Sequence, residues 1–376
     1  MTMKDYRILV INPGSTSDEI SYFEGETEVF HKTVRYSPKD LVAFEALPVS
    51  SQFEFRSELV RKVLTEANVN VDTLDAIIGR GGLLKPVPSG TFQVNEEILK
   101  VLKDGKYGDH PSNLGGMIAF SIATKLGIPA FIADPVVVDE MDSIARFSGM
   151  PDNPRVSIFH ALNQKRVARL AAKELKKPYE ECDLIVMHGG GGISVGAHHH
   201  GRVVDVNNAL DGEGPFTPQR SGGVPTGGWM RLILTNSFTP AELKLKIKGR
   251  GGLVAYTGTS DLYALEKYLN GEECTAAELE NIKPGVTREY ISECIEAMTY
   301  QISKEICSVL AYFKGKVDAI VLTGGIIKDK RILQWIKDRV GWIAPILTYP
   351  GGDEMRALKD AVTRVLDGTP AQIYRD

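Results

Sequence analysis

One pattern occurs twice in this chain and limits what it can fold into. From Leu184 to Asp205 the sequence reads LIVMHGGGGISVGAHHHGRVVD. An apolar run (Leu184 to Met187) meets four glycines (Gly189 to Gly192). A second run from Ile193 gives way to a polar turn and then to Val203-Val204. Short β-rich runs split by Gly and polar clusters predict a strand, a glycine turn, a strand, a hairpin turn and a third strand. Tyr6 to Val34 repeats the pattern: Ile8 to Ile11, a Pro-Gly-Ser-Thr-Ser turn, a run around Ile20 to Phe23, a turn at Gly25 and a third run. Two β-β-β units about half a chain apart point to a duplicated fold with a ligand between the halves.

The rest of the chain alternates helix and strand patterns, which indicates α/β layers. Helices are expected at Glu54 to Glu66, Asn95 to Leu102, Leu114 to Leu126, Ile158 to Lys176, Ala241 to Lys248, Ser260 to Asn270, Thr287 to Phe313, Lys330 to Lys337 and Met355 to Leu366. Strands are expected at Leu74 to Ile78, Ala130 to Ala133, Val317 to Leu322 and Pro345 to Tyr349. The segment Gly149 to Pro154 (GMPDNP) is the best candidate for a domain boundary. Asp205 to Gly228 is a long glycine-rich loop, and structureless loops of that length are usually functional.

With 376 residues the chain suits about two domains. A net charge of −4 gives no whole-chain case for nucleic acid or an anionic membrane. The four cysteines form no C-x-x-C pair, so neither a zinc site nor a disulfide framework is indicated. The stretch MTMKDYRILV leads straight into a strand without a signal-peptide core, and no apolar run approaches the ~20 residues a bilayer requires. A cytoplasmic protein without a membrane partner is expected.

Glycine turns at strand ends occur at Asn12 to Ser17, His188 to Gly192 and Thr323-Gly324-Gly325. Glycine lets backbone amides approach a ligand, and phosphate is the commonest guest of such turns. Three in one chain favour nucleotide phosphates, although any one of them alone could serve only a tight hairpin. Arg80 in GRGG and Arg220 in PQRSGG sit among small residues, and an arginine fork suits carboxylate or phosphoryl oxygens. Asp134 lies at a strand's carboxyl end, where α/β sheets place ligands, and it equally suits a cap for the turn at Pro135. His160 opens a helix, where a lone histidine is most often structural. The run His198-His199-His200 reads as a solvated turn, because three consecutive side chains on a hairpin cannot all converge on one metal.

The phrases INPGSTS, GRGGLL, DPVVVDEM, SIFHALNQK, GRVVDVNNALDGEGPFTPQRSGG, GGLVAYTGTSD and VLTGG closely resemble the butyrate kinase family, which belongs with acetate kinases in the sugar-kinase and actin-like ATPase superfamily. The resemblance spans nearly the whole chain. It implies two duplicated RNase H-like domains with mixed five-stranded sheets: residues 1–152 with a C-terminal helix at about 354–376, and residues 153–353. ATP and a short-chain fatty acid would lie between them, and the activity implied is reversible phosphoryl transfer from ATP to butyrate with Mg²⁺. Asn12, Ser15 and Ser17 match the first phosphate loop, with Asn12 linked to the metal. His188 and Gly189, Gly190, Gly191 and Gly192 match the second loop. Thr323, Gly324 and Gly325 match the adenosine motif. Asp134, His160, Arg220 and Arg80 match catalytic positions, and Asp329 is the expected second metal-linked acid. A homo-oligomer, at least a dimer, is also implied. The chain departs from the pattern at Asp18-Glu19, where the family carries a small or apolar residue and then a lysine. That substitution places acid where a cation would meet the phosphates.

Overall fold

The structure, a computed structural model, describes residues 5–44 and 47–376. Residues 1–4, the start of the expected lead-in to the first strand, lie outside that range. Twelve strands are present among the described residues: β1 (Arg7–Pro13), β2 (Ser17–Glu24), β3 (Thr27–Arg35), β4 (Ala76–Arg80), β5 (Thr91–Gln93), β6 (Ala130–Ala133), β7 (Asp183–Gly189), β8 (Ile193–His199), β9 (Arg202–Val206), β10 (Ala319–Gly324), β11 (Ile346–Pro350) and β12 (Gln372–Ile373). The chain divides into two compact units. Unit 1 holds Met1–Val138, Ala161–Asn163 and Asp353–Asp376; unit 2 holds Asp139–His160 and Gln164–Gly352.

The same sheet is built twice. In unit 1, β1 pairs antiparallel with β2 and parallel with β4, and β4 pairs parallel with β6. In unit 2, β7 pairs antiparallel with β8 and parallel with β10, which pairs parallel with β11. The five expected strands therefore run β6-β4-β1-β2-β3 in unit 1 and β11-β10-β7-β8-β9 in unit 2. Among the described residues, β5 and β12 extend the first sheet to seven strands. The extension comes from TFQ at 91–93, too short to show a period, pairing antiparallel with β6.

The central strands explain the pattern. Ile8, Leu9, Val10 and Ile11 have no exposed surface, as have Leu184, Ile185, Val186 and Met187. A strand covered on both faces reads as a continuous apolar run. Each such side chain contributes about 1.5–3 kcal/mol on burial. The helix Glu354–Leu366 covers β1 with Met355, Leu358, Ala361 and Val362. The 22-residue helix Arg288–Val309 buries Ile291, Ile295, Met298, Ile302 and Ile306 in the core of unit 2. The helix expected from Ile158 begins only at Ala161, because His160 takes the cap position.

The units divide at Val138 and Asp139, ahead of the GMPDNP segment. Val138 bridges to Val87 in unit 1, whereas the Asp142 amide donates to Val204 in unit 2 at 2.9 Å. The segment itself is a turn within unit 2, closed by the Asn153 amide on the Met150 carbonyl at 2.9 Å. Its Pro and Gly content marks a local turn.

Candidate active site

In unit 1 the polar residues gather where β1 ends. Asn12 is nearly buried, and its side-chain amide donates to Glu19 Oε2 at 3.1 Å and to Glu354 Oε2 at 2.9 Å. Arg80, the last residue of β4, pairs with Glu354 and donates to Asn12 Oδ1 at 3.3 Å. The structure thus brings Asn12 and Arg80 together around two carboxylates: Glu19, which the sequence marked only as a departure from the family pattern, and Glu354, which sequence reasoning did not select. Glu354 opens the helix Glu354–Leu366, and acid in a helix's first turn is a readable signal because the N-terminal dipole end favours it.

The acidic pair after the first turn separates onto two faces. The register sets Asn12 opposite Glu19 and Pro13 opposite Asp18. Alternation therefore turns Glu19 toward Asn12 and Asp18 into the protein. Asp18 forms a buried ion pair with Arg56, whose guanidinium also donates to the Gly14 carbonyl at 2.8 Å. Tyr36 donates to Asp18 Oδ2 at 2.6 Å. The Asp18 charge is matched internally and does not add to the field at the turn. Ser15 is exposed and Ser17 half-buried on the turn itself, which the Gly14 amide closes on the Ser17 carbonyl at 2.7 Å.

Asp134 follows β6 in the left-handed region, φ 36°, which a non-glycine residue enters only when its surroundings hold it there. Its Oδ1 accepts from Ser89 Oγ at 2.7 Å and from the Gly90 amide at 2.8 Å. Asp134 therefore fixes the 88–90 loop at the strand's carboxyl end.

In unit 2 the glycine turn lies between β7 and β8, closed by the Gly190 amide on the Gly192 carbonyl at 2.9 Å. Three neighbours shape it. Thr217 Oγ1 donates to the Gly191 carbonyl at 2.7 Å. Arg220 lies against Gly192 so closely that a Cβ there would overlap its Nη1. Gly324, at φ 93°, comes so close to Gly189 that its own Cβ would overlap the Gly189 carbonyl. Thr323 donates to the Gly351 carbonyl at 3.2 Å, and Gly325 has open space beside it. The expected phosphate and adenosine turns thus touch.

Arg220 donates from Nη1 to the Ala209 carbonyl, but its buried Nε has no partner among the described residues. Burial also lowers its pKa from the usual arginine value. A desolvated guanidinium with spare donors is set up for an anion. His160 stacks on His188, ring centroids 3.9 Å apart and planes 15° off parallel. Its Nδ1 lies 2.8 Å from Ser194 Oγ. Asp329 caps the helix Lys330–Val340: Oδ1 accepts from the amides of Arg331 at 2.8 Å and Ile332 at 3.2 Å, and the buried Oδ2 has no hydrogen-bond partner among the described residues, facing only the Arg331 guanidinium at 3.9 Å. Of the histidine run, His198 is fully buried, while His199 and His200 meet Asp183 with ligand atoms within 4.8 Å of one another. The run therefore splits between core and surface instead of forming a uniformly solvated turn.

Residues 155–334 match the model of the Acetokinase family. The chain is 50% identical over 364 residues to "Butyrate kinase 2" of Clostridium acetobutylicum, covering 96% of this chain and 97% of that one. It is 49% identical over 364 residues to "Butyrate kinase 1" of the same organism, covering 96% and 98%. Among solved structures, Porphyromonas gingivalis acetate kinase superposes with a TM-score of 0.73 at 18% identity, covering 96% of this chain and all of that one. A propionate kinase of Francisella tularensis superposes at 0.70 and 18%, covering 94% and 98%. These two likenesses establish the shared fold. Near-full-length identity of about one half, on a fold built twice around glycine turns, makes this chain a member of the butyrate kinase family, within the acetate kinase group.

Proposed function

We propose that this chain transfers the γ-phosphoryl group of ATP reversibly to butyrate or a branched short-chain acid, giving the acyl phosphate and ADP. The observation that carries this reading is the 50% identity with a butyrate kinase over 96% of the chain. A carboxylate is already a nucleophile at neutral pH, so no strong general base is required. Catalysis then consists of positioning and of neutralising charge on the transferring group. Arg220 suits that second task through its unpartnered Nε. In unit 1 we assign Arg80 to anionic oxygens as well, with Asp134 holding the neighbouring loop. The Asn12 to Ser17 turn and the His188 to Gly192 turn are assigned to phosphates, and Thr323, Gly324 and Gly325 to the adenosine.

Mg²⁺ takes oxygen ligands and keeps several waters. Asn12, flanked by the carboxylates of Glu19 and Glu354, offers such donors. We assign the metal-linked acid to Glu354 in preference to Asp329, one of whose oxygens is committed to a helix cap. When bound, the ion would neutralise phosphate charge. No helix among the described residues is long and apolar enough to cross a membrane. A cytoplasmic homo-oligomer, at least a dimer, is part of this proposal, and light scattering would show a mass of at least twice 41.2 kDa.

Trapping the acyl phosphate with hydroxylamine tests the reading. Butyrate, ATP and Mg²⁺ should yield butyryl hydroxamate, and chelating the metal should stop it. Retained nucleotide binding without any hydroxamate would instead make this a non-catalytic relative.

A further inference from the structure

A buried chain of side chains runs away from His160 through the interior of unit 2. Ser194 Oγ lies 2.8 Å from His160 Nδ1. The Gln164 side-chain amide donates to Ser194 Oγ at 2.8 Å and to the Ser194 carbonyl at 3.1 Å. Gln164 Oε1 lies 2.9 Å from His198 Nε2, and His198 Nδ1 lies 2.8 Å from Tyr179 Oη. Ser194, Gln164 and His198 have no exposed surface, and Tyr179 is 5% exposed.

The strand is built for this chain. Ser194, Gly196 and His198 alternate onto one face of β8. A Cβ on Gly196 would lie 2.7 Å from Gln164 Oε1 and 3.4 Å from His198 Nε2, so the missing side chain is the space the carboxamide occupies. The register also sets Ser194 opposite His188, on which His160 stacks.

The direction of the hydrogen bonds follows from one fixed point. A backbone carbonyl can only accept, so the Gln164 atom facing the Ser194 carbonyl must be the NH₂. Its Oε1 then faces His198 and must receive Nε2–H. Burial, with Lys165 and Arg169 close by, holds His198 neutral, which leaves Nδ1 to accept from Tyr179. Ser194 Oγ takes hydrogens from Gln164 and, at 3.5 Å, from the His160 amide. What remains is its own hydrogen, facing His160 Nδ1.

We infer that Ser194, Gln164, His198 and Tyr179 form a one-way relay that holds His160 neutral with its proton on Nε2. His160 would therefore offer the phosphoryl group a fixed N–H and not a positive charge. This rests on the reading, implied by the family resemblance, that His160 is a catalytic residue close to the transferring phosphoryl group. The close stack of His160 on His188 agrees, since two facing imidazolium rings would repel. Ser194 and Gln164 are positioning residues and touch no substrate.

The relay is read directly on the free enzyme, whatever its activity. Protein carrying ¹⁵N-histidine gives two-bond proton–nitrogen patterns that separate the two neutral tautomers and the imidazolium, and His160→Asn assigns the signals. At pH 7.5 His160 should show the Nε2–H pattern. The Nδ1–H pattern or that of an imidazolium would overturn the proposal. Gln164→Glu reverses the relay, because a carboxylate accepts the Ser194 hydrogen and frees Ser194 to accept from Nδ1–H. The His160 pattern should switch, and kcat should fall up to ~100-fold, the effect of losing one aimed donor, with KM for both substrates nearly unchanged. An unchanged His160 pattern in that variant would also overturn the relay. Ser194→Ala provides the second variant, in which the His160 tautomers should become mixed.

Discussion

Arg220 is held at a cost to the fold, and that cost is informative. Its buried Nε lacks a hydrogen-bond partner among the described residues and its guanidinium is desolvated, so truncation removes a liability along with some packing. Arg220→Gln is expected to lower kcat by ~10²–10³-fold, the loss seen when a donor aimed at developing charge is removed, while the melting temperature moves only slightly. Gly192→Ala should produce a weaker form of the same defect, because its Cβ needs the place of Arg220 Nη1. Steady-state kinetics beside thermal melting check both; an active Arg220→Gln enzyme would remove the arginine from its assigned role. At this scale the sequence was partly legible. Arg220 and the glycines could be picked out because small residues crowd them. Glu354 was readable only as acid in a helix's first turn and not as a site residue, because its partners Asn12 and Arg80 are brought to it only by the sheet and the last helix. Asp18 was misleading for the opposite reason: its charge stands beside the turn in sequence but points at Arg56 in the fold.

Two elements carry separate predictions. The helix Phe53–Glu66 buries Arg56, Val60, Val63 and Leu64 along one stripe, so an arginine inside an apolar stripe was a readable sign of a buried partner. Arg56→Met leaves Asp18 buried and uncompensated, for which about 3–5 kcal/mol of destabilisation is expected. Adding Asp18→Val should recover a large part of it. Denaturant titration of both variants decides; no recovery in the pair would mean that Arg56 acts mainly through the Gly14 carbonyl. On the helix Arg288–Val309, burial and the nearby Glu213 and Asp205 push Glu305 from 4.5 up to about 7. The native state then keeps a proton that the unfolded state has released between these values. It binds more protons, so stability falls as pH rises from about 4.5 through 7. Glu305→Gln removes this dependence, and its advantage over the parent should grow from pH 5 to pH 8, approaching a value on the order of 2–3 kcal/mol. Equal pH slopes for the two proteins would contradict it. Helix and strand existence was largely legible from period and caps. The helix Thr226–Thr235 was missed because it buries no residue; its first turn falls in the segment read as loop, and the rest precedes the next expected helix.

At the level of the whole molecule, the duplication was the most legible feature, because a central strand covered on both faces leaves an apolar run that composition alone marks. The strand order confirms it: β1 and β7 each hold the same place among their neighbours. The division at Val138 was not legible, since it follows from the contacts each segment makes in the folded chain and no composition change marks it. The acyl preference belongs to this scale too, because a chain of methylenes is sorted by the shape of an assembled pocket. One methylene discriminates by only ~10–200-fold, so neighbouring acids should be turned over at reduced efficiency. The central claim is that this is a kinase for a four-carbon acid. Measuring kcat/KM for acetate, propionate, butyrate and isobutyrate by hydroxamate trapping tests it most directly. The account predicts the highest value for butyrate or isobutyrate and the lowest for acetate; a maximum at acetate would contradict it.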